Sequence, residues 1–405
     1  MKKLIDIIKL CFLGTLVGIL GGVIGGCFAH LLSFVTQLRQ ATPWLILMLP
    51  IGAILTTVLY RAFHMQDHEG ANEIIFCLAN QKNIRTLAAP LIFISCSITH
   101  LFGGSAGREG AALQLGGAGA AALCSLLRLK EDYRTVVVIS GMCAVFAALF
   151  STPVTATFFV IEFRLKPKTN ILAFLPCLIS ALIAAKLSVL LGVRAEAVGF
   201  SYVEPLSFYT IIKIIILSVG LSVLGHFMCY IFHSAGKWAR RLVANDYLRA
   251  LLFSGVIVAL TAIVGDMRYN GSGMSMAITA IEGNTQWFDF ILKLIFTAIT
   301  LMAGLKGGEI VPTFCIGATF GCLIGGILGL NSGFAAALGL VGLFCCVTNS
   351  PISAIILGAE LFGISALHYY LLVCLLLWPL STKKGLFINR FFQPISILRI
   401  KEKSR

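Results

Sequence analysis

The sequence predicts an all-α integral membrane protein, a bundle of tilted, broken and re-entrant helices, and three observations favour that fold class. Of the 405 residues, 58% are hydrophobic and only 12% are charged, whereas soluble domains carry about a quarter charged residues. The apolar runs are interrupted by glycine and proline, of which the chain has 40 and 11. Segments of the first half also recur, in the same order, in the second half.

The first apolar run begins at the N-terminus, with the sequence MKKLIDIIKLCFLGTLVGILGGVIGG. A basic start followed by an apolar stretch is typical of a signal peptide, but this stretch continues past an h-region without a small-x-small cleavage site. We therefore predict that it is retained as the first helix. The 13 cysteines are dispersed and show no CxxC pair, so we expect no disulfide, no metal site and no other cofactor.

The net charge of +14 is concentrated in a few segments of the chain. They are the start (Lys2, Lys3 and Lys9), the stretch 236–250 and the C-terminal stretch 383–405. The positive-inside rule places such segments in the cytoplasm. We therefore expect a multi-pass protein of the bacterial inner membrane with both termini cytoplasmic, in contact with lipid and not with nucleic acid.

Several apolar runs are too short to cross a bilayer perpendicularly, for which about 20 residues are needed. Examples are the runs at 87–102, 153–163 and 351–364. Short helices at membrane depth are tolerated only where their ends line a cavity or are buried in protein. The glycines fit close packing between such helices.

An internal repeat relates the two halves. STPVTATFFVIEF, from Ser151, matches NSPISAIILGAEL, from Asn349, at an offset of 198, and GREGAALQLGG matches GGEIVPTFCIG with Glu109 opposite Glu309 at an offset of 200. A weaker match relates EGANEIIFCLA to GSGMSMAITAI. We predict repeat halves at 1–200 and 201–392, followed by a basic cytoplasmic tail at 393–405. Duplicated broken segments indicate a transporter whose site lies at the repeat interface.

The stretch GREGAALQLGG, from Gly107, predicts a helix that starts at Glu109–Gly110 inside the membrane. Its unpaired N–H groups and the positive end of its dipole would form an anion site. The repeat supplies a second start at KGGEIVPTF, where Pro312 suits the first helical turn. Two such starts that converge near the midplane could hold a small anion weakly enough to release it.

Two carboxyl groups stand at these helix starts. Glu109 could occupy the site as a carboxylate and move out when protonated, which would couple proton and anion movement; alternatively, it is a structural partner of Arg108. Glu309 is either a second proton stop or a cap for its own helix. Glu162 and Glu360, duplicated at helix ends, are expected to hold the fold by bonding loop backbone.

These motifs resemble the CLC family of anion channels and anion/proton antiporters. The resemblance rests on GREG at 107–110, GGEIVP at 307–312, the proline-led helices that end in Glu162 and Glu360, and KKGLF at 383–387. It implies an inverted-repeat fold, a homodimer with one pathway per subunit, and Glu109 as the outer gating glutamate. The expected anion-binding residues are Gly107, Arg108, Gly110, Ala111, Gly70, Ala71, Asn72, Gly308, Ile310, Val311 and Phe387.

The details resemble the fluoride/proton branch, with departures. Chloride-type members have a serine in the first anion loop, where this chain reads Glu-Gly-Ala-Asn at 69–72, and chloride antiporters have an internal glutamate where Phe163 stands. A glutamate at the place of Glu309 is typical of the fluoride branch. That branch usually has methionine in the first loop and threonine at Val311, and many members have tyrosine at Phe387. With fewer donors, we expect weak binding or loose selectivity.

We therefore predict a transporter of a halide, chloride or fluoride, coupled to proton counter-movement, and not an enzyme. A passive chloride channel is the first alternative. A remote alternative is an intramembrane serine protease, because GGSAG at 103–107 matches G-x-S-x-G. In that case Ser105 would need His100 or His226 as its base.

Overall fold

The computed structural model describes residues 2–163, 167–193, 199, 202–381 and 385–387. Within these ranges the chain forms sixteen α-helices and two short 3₁₀ helices, Pro43–Met48 and Ile364–Ala366. The first eight helices are α1 (Lys2–Ala41), α2 (Leu49–Ala62), α3 (Ala71–Ala79), α4 (Ala88–Phe102), α5 (Glu109–Leu126), α6 (Glu131–Phe150), α7 (Pro153–Glu162) and α8 (Pro167–Leu190). The second eight are α9 (Phe208–Leu242), α10 (Asp246–Val264), α11 (Met274–Ile281), α12 (Asp289–Met302), α13 (Ile310–Ile327), α14 (Ser332–Thr348), α15 (Pro351–Phe362) and α16 (Leu367–Leu377).

The helices differ widely in how far they could cross a bilayer. In the described part of the chain, seven helical segments are long and apolar enough to span one, among them Ile5–Ala41 and Phe208–Leu242. The ten residues of α7 cover only about 15 Å at 1.5 Å per residue, half of the ~30 Å hydrocarbon core. The sequence prediction of an all-α membrane bundle with full and partial helices is therefore confirmed.

The order and approximate lengths of α1–α7 recur in α9–α15. A long first helix opens each set, and α5 and α13 both have 18 residues. The boundary that we predict at residue 200, and the tail at 393–405, fall on or beside residues outside the described ranges. The division into 1–200, 201–392 and 393–405 stays a prediction.

The alignment of the repeat needs one correction, which concerns the two glutamates. Arg108 and Glu309 occupy the same position, immediately before the first helical residue, with φ of −112° and −107°. Glu109 and Ile310 are then the equivalent first residues, so the offset is 201 and the pairing of Glu109 with Glu309 was wrong by one residue. The sequence match was aligned on the glutamate that both segments contain. The turn before each helix instead shows which residues of the two halves are structurally equivalent.

The two sets of helices have opposite orientations. Tyr133 at the start of α6 donates to Asp6 at the start of α1 (2.6 Å), and Arg61 at the end of α2 pairs with Asp246 at the start of α10 (3.1 Å). These ends share one face, which we call the α1-start face. Since α9 runs directly into α10, α9 ends at the face where α1 begins. We call the opposite face the α1-end face.

Glycines allow the helix pairs on either side of the repeat axis to pack closely. A Cβ on Gly116 of α5 would overlap the carbonyl of Gly141 on α6, and one on Gly317 of α13 would lie 2.5 Å from the carbonyl of Gly339 on α14. Because these backbones are in contact at equivalent places, the middle turns of α5 and α13 are held closely against α6 and α14. Both helix starts are thereby fixed in position.

A reciprocal pair of carboxylates joins the two halves at α7 and α15. Glu162 at the end of α7 accepts hydrogen bonds from the N–H groups of Ile352 (3.1 Å) and Ser353 (3.0 Å), and also from the Ser353 hydroxyl. Glu360 on α15 accepts from the N–H groups of Val154 (3.0 Å) and Thr155 (2.8 Å). Each carboxylate thus caps the N-terminus of the other helix, which confirms the structural role expected for both residues.

Candidate functional site

The starts of α5 and α13 meet at the centre of the repeat. Gly107 donates to the carbonyl of Gly308 and Gly308 donates to that of Gly107, both at 2.7 Å, which forms an antiparallel bridge. The Cβ of an alanine at Gly110 would lie 3.2 Å from the Cα of Gly308. Two helix N-termini from opposite sides therefore converge, and each carries backbone N–H groups that have no partner within its own helix.

The carboxyl group of Glu109 lies between these two helix starts. The residue is fully buried, and its Oε1 accepts from the N–H of Arg108 at 3.0 Å. Its Oε2 has no hydrogen-bond donor within the described residues. A Cβ on Gly107 would overlap this oxygen, and one on Gly308 would lie 2.5 Å from it. The carboxyl group thus fills the gap that glycine leaves on both sides.

The side chain of Arg108 extends toward α6. Its guanidinium donates to the carbonyl of Leu149 at 3.3 Å and lies 5.2 Å from the ring centre of Phe150. The backbone N–H of Arg108, by contrast, bonds the Glu109 carboxyl. Arg108 therefore reaches the carboxyl group between the two helix starts through its backbone N–H.

Glu309 stands at the N-cap position of α13, directly after Gly308. It is half-buried, and its side chain makes no capping hydrogen bond. Its carbonyl accepts from the N–H (3.0 Å) and the hydroxyl (2.7 Å) of Thr313. The geometry thus places a carboxyl at the second helix start without giving it the bond that the cap alternative requires.

The expected first anion loop is connected to α5 through Gln114. A Cβ on Gly70 would lie 3.1 Å from the amide nitrogen of Gln114, which itself donates to the carbonyl of Gly110 at 3.1 Å. Gly70 precedes α3 with φ of +69°, a conformation that glycine adopts readily. The loop and the start of α5 therefore lie within one side chain of each other.

Asn72 joins the start of α3 to the segment 385–387. Its amide donates to the carbonyl of Leu386 at 3.2 Å. The next residue, Phe387, is 8% exposed and packs its ring against Phe159 and Phe163, with centroid distances of 5.7 and 5.2 Å. Phe163, at the position where chloride antiporters carry an internal glutamate, is thus part of an aromatic wall.

The structure divides the predicted anion-binding residues into two groups that meet at α5. One group surrounds the Glu109 carboxyl, and the other follows from the start of α3 to Phe387. Ala71, Ala111, Ile310 and Val311 are buried within helix starts. The members of the first group are Gly107, Arg108, Gly110, Ala111, Gly308, Ile310 and Val311; those of the second are Gly70, Ala71, Asn72 and Phe387.

Two lysines close to this site were not predicted from the sequence. Lys293 on α12 is fully buried, and its ammonium donates to the Ser105 hydroxyl (2.9 Å) and to the carbonyls of Tyr269 (3.0 Å) and Gly271 (2.7 Å). Lys306, just before Gly307, lies 4.4 Å from the ring centre of Tyr60. Both stand in or beside apolar runs, where any ionisable residue is a functional candidate.

Ser105 has partners other than those that the protease alternative requires. It is fully buried, and its hydroxyl contacts Thr297 (3.0 Å) and Lys293. His100 bonds the carbonyl of Cys96, and His226 that of Ser222. The bonds of His100 and His226 go to backbone carbonyls and not to Ser105, so the serine–histidine pair that the protease alternative requires is not formed in this structure.

Comparison with known proteins gives consistent results. The chain is 29% identical over 390 residues to the "Chloride/fluoride channel protein" of Pseudomonas syringae pv. tomato, covering 94% of this chain and 86% of that protein. It is 25% identical over 408 residues to the "H(+)/Cl(-) exchange transporter ClcA" of Vibrio vulnificus, covering 92% and 85%.

Solved structures agree with this assignment. A crystal structure of a CLC-type fluoride/proton antiporter matches with a TM-score of 0.87 at 30% identity, covering 93% of this chain and 97% of that one. A slow cyanobacterial Cl⁻/H⁺ antiporter matches in fold, with a TM-score of 0.79 at 17% identity, covering 92% and 94%. The family model described as voltage gated chloride channel matches residues 51–377. The chain therefore belongs to the voltage gated chloride channel family, the CLC family that its motifs resemble.

Proposed function

We propose that this protein exchanges a halide for protons across the membrane, with Glu109 acting both as the plug of the anion pathway and as a proton carrier. The observation that carries the proposal is the buried Glu109 carboxyl between two opposed helix starts. A carboxylate there takes the place that an anion would occupy, facing the positive ends of both dipoles. Once protonated, it loses that attraction and can leave, so an anion enters as a proton departs.

Glu309 is the second proton stop in this scheme. It follows Gly308 directly, and a Cβ on Gly308 would already contact the Glu109 carboxyl. The residue that carries the second carboxyl group therefore directly follows one that adjoins the Glu109 carboxyl, which favours a proton transfer between the two groups. The lack of a capping bond at Glu309 leaves its side chain available for this role.

The transported halide is chloride or fluoride. The curated relative from Pseudomonas syringae is named for both ions, and the solved relative at 30% identity is titled a fluoride/proton antiporter. Glu309 favours the fluoride branch. The side chains of Val311 and Phe387 supply no hydroxyl donor, so we expect discrimination between the two ions to be modest.

We also propose a homodimer in the bacterial inner membrane, with one pathway per subunit. One chain supplies both helix starts and the carboxyl between them, so a subunit needs no partner residue to form this part of the site. The basic segment at 236–250 lies at the α1-start face, which the positive-inside rule assigns to the cytoplasm. The C-terminal cluster, with Lys383, Lys384 and the tail 393–405, lies outside the described residues.

Flux measurements in liposomes test the central claim. A halide gradient should drive proton movement through the wild-type protein, and Glu109→Gln should abolish proton movement while halide flux continues. Glu282→Gln, the same change at an exposed residue, is the control and should leave coupling intact. Proton movement that persists in Glu109→Gln would exclude Glu109 as the carrier.

Glu309→Gln separates the two roles left open for that residue. Slower exchange of both ions, with thermal stability unchanged, is expected of a proton stop. Unchanged exchange with a lower melting temperature would instead support a structural role for Glu309.

The reversal potential in planar bilayers separates exchange from passive conduction. With equal halide on both sides and a pH gradient, an antiporter shows a non-zero reversal potential, whereas a passive channel shows none. Repeating the measurement with fluoride opposite chloride gives the selectivity.

A further inference from the structure

A polar cavity of about 330 Å³ opens at the α1-end face, separate from the gap that Glu109 fills. It lies between the last turns of α1 and the loop that leads into α11. Its polar lining includes Arg39, Gln40, Asn270 and Ser272. These side chains supply hydrogen-bond donors, and none of the four is acidic.

Among the residues that the structure describes, Arg39 is the arginine of this cavity that has no ion-pair partner. The residue is only 5% exposed, and its Nε has no hydrogen-bond partner within the described residues. Arg268, the other arginine in the lining, is paired with Asp266 (3.2 Å) and Asp289 (2.9 Å). A buried guanidinium without a counter-charge is costly, and an anion in the cavity would offset that cost.

The wall of the cavity is bonded to the loop that carries the gating glutamate. Asn270 donates to the carbonyl of Gly103 (2.8 Å), and the N–H of Gly271 donates to that of Gly104 (3.0 Å). Behind this wall, the Lys293 ammonium is bound to three neutral oxygens. Arg39 and Lys293 therefore place two positive charges between the α1-end face and the start of α5.

We propose that this cavity is an anion-capture site, in which Arg39 holds the hydrated halide before the ion moves to the Glu109 site. The proposal rests on the anion transport proposed above. With a share of about 30 Å³ per water, a halide with six waters needs roughly 200 Å³, which the cavity provides. The ion would keep part of its hydration shell here and lose it only at the helix starts.

Transport measured separately from each face of the membrane tests the proposal. We expect Arg39→Gln to raise the half-saturating halide concentration about tenfold at the α1-end face, the size of one charge-assisted hydrogen bond. The maximal rate, the halide-to-proton ratio and the half-saturating concentration at the α1-start face should be unchanged. Arg39→Lys, which keeps the charge, should restore most of the affinity.

Two further variants keep the test decisive. Gln40→Glu places a carboxylate beside Arg39 on the exposed rim and should produce the same one-sided loss even if Arg39→Gln folds poorly. Lys213→Gln removes a cation at the same face, where Lys213 bonds the Gly329 carbonyl (2.9 Å), and should have no effect.

Three results would overturn the capture site. They are equal half-saturation in wild type and Gln40→Glu, a loss that is the same at both faces, and a loss that Lys213→Gln reproduces. Failure of the proposed function differs from failure of the capture site, because the wild-type protein would then show no halide-driven proton movement at all.

Discussion

Two glycine-to-alanine substitutions that look alike in the sequence should have different consequences at the repeat interface. The three atoms nearest to a methyl group on Gly107 all belong to the carboxyl group of Glu109, which can move away. A methyl group on Gly308 would also lie 2.7 Å from the backbone nitrogen of Gly110 and 2.9 Å from that of Glu109. Those backbone atoms are fixed within α5. Gly107→Ala should therefore displace the gate, and Gly308→Ala should separate the two helix starts.

The expected magnitudes follow from these contacts. Overpacking costs about 1–3 kcal/mol, which at Gly107 lowers the population of the plugged carboxyl by about 5- to 150-fold. At Gly308 the same overpacking adds to the loss of the two reciprocal hydrogen bonds, worth about 1 kcal/mol each. We therefore expect Gly308→Ala to lose about 3–5 kcal/mol of stability and Gly107→Ala to lose little.

Both substitutions are measured by halide flux, proton coupling and thermal unfolding of the purified protein. Gly107→Ala should keep its melting temperature, increase halide flux and weaken proton coupling. Gly308→Ala should unfold at a lower temperature and lose both fluxes. Gly255→Ala on α10, where the new methyl meets nothing within 4 Å, is the matched control and should behave as wild type.

A second background, Glu109→Ala, shows whether the methyl group on Gly107 acts through the carboxyl group. In Glu109→Ala the carboxyl is absent, so adding Gly107→Ala should have no further effect, whereas adding Gly308→Ala should still destabilise. If Gly107→Ala changes flux equally with and without the carboxyl, then the methyl group does not act through Glu109 and the plug geometry is wrong.

The other predictions concern buried polar contacts. Glu162→Gln and Glu360→Gln should each cost about 1–2 kcal/mol, with similar falls in melting temperature because the caps are reciprocal; a cost at only one of them would contradict that symmetry. Lys293→Met should cost about 2–5 kcal/mol, since it leaves two buried carbonyls without their ammonium donor, whereas Lys213→Met should cost much less by the same thermal-unfolding assay.

The sequence was sufficient for the membrane class, the repeat and the convergence of two helix starts, because each has a local signal. The composition indicates that lipid surrounds the helices, and the motifs GREG and GGEIVP mark where two helices begin. The alignment of the two halves at the centre has no local signal in the sequence. The bridge between Gly107 and Gly308 fixes it, and that bridge joins residues 201 positions apart. Matching glutamate to glutamate therefore placed Glu309 one residue off.

Residues that act through distant partners were the ones the sequence did not reveal. Arg39 lies at the end of a long apolar helix and Lys293 in a 14-residue helix, and neither pattern predicts a binding role. Their importance depends on the loop at 269–271, which lies against the 103–105 loop only in the folded chain. A charge inside an apolar run was an available signal for Lys293, but its partners were not.

The repeat also limits which features of the site can make proton and anion movement differ between its two sides. The backbone around the bridge is nearly symmetric, so the two helix dipoles alone would hold an anion equally well from either side. The equivalent side chains break that symmetry: the first helical residue is Glu109 in α5 and Ile310 in α13, and the residue before it is Arg108 or Glu309. The start of α5 thus places its carboxyl group, on Glu109, in the gap. The start of α13 carries its carboxyl group, on Glu309, one position earlier, at the N-cap. Under the function proposed above, we expect the duplicated backbone to bind the anion, and the two side-chain positions at which the halves differ to set the order of the proton steps.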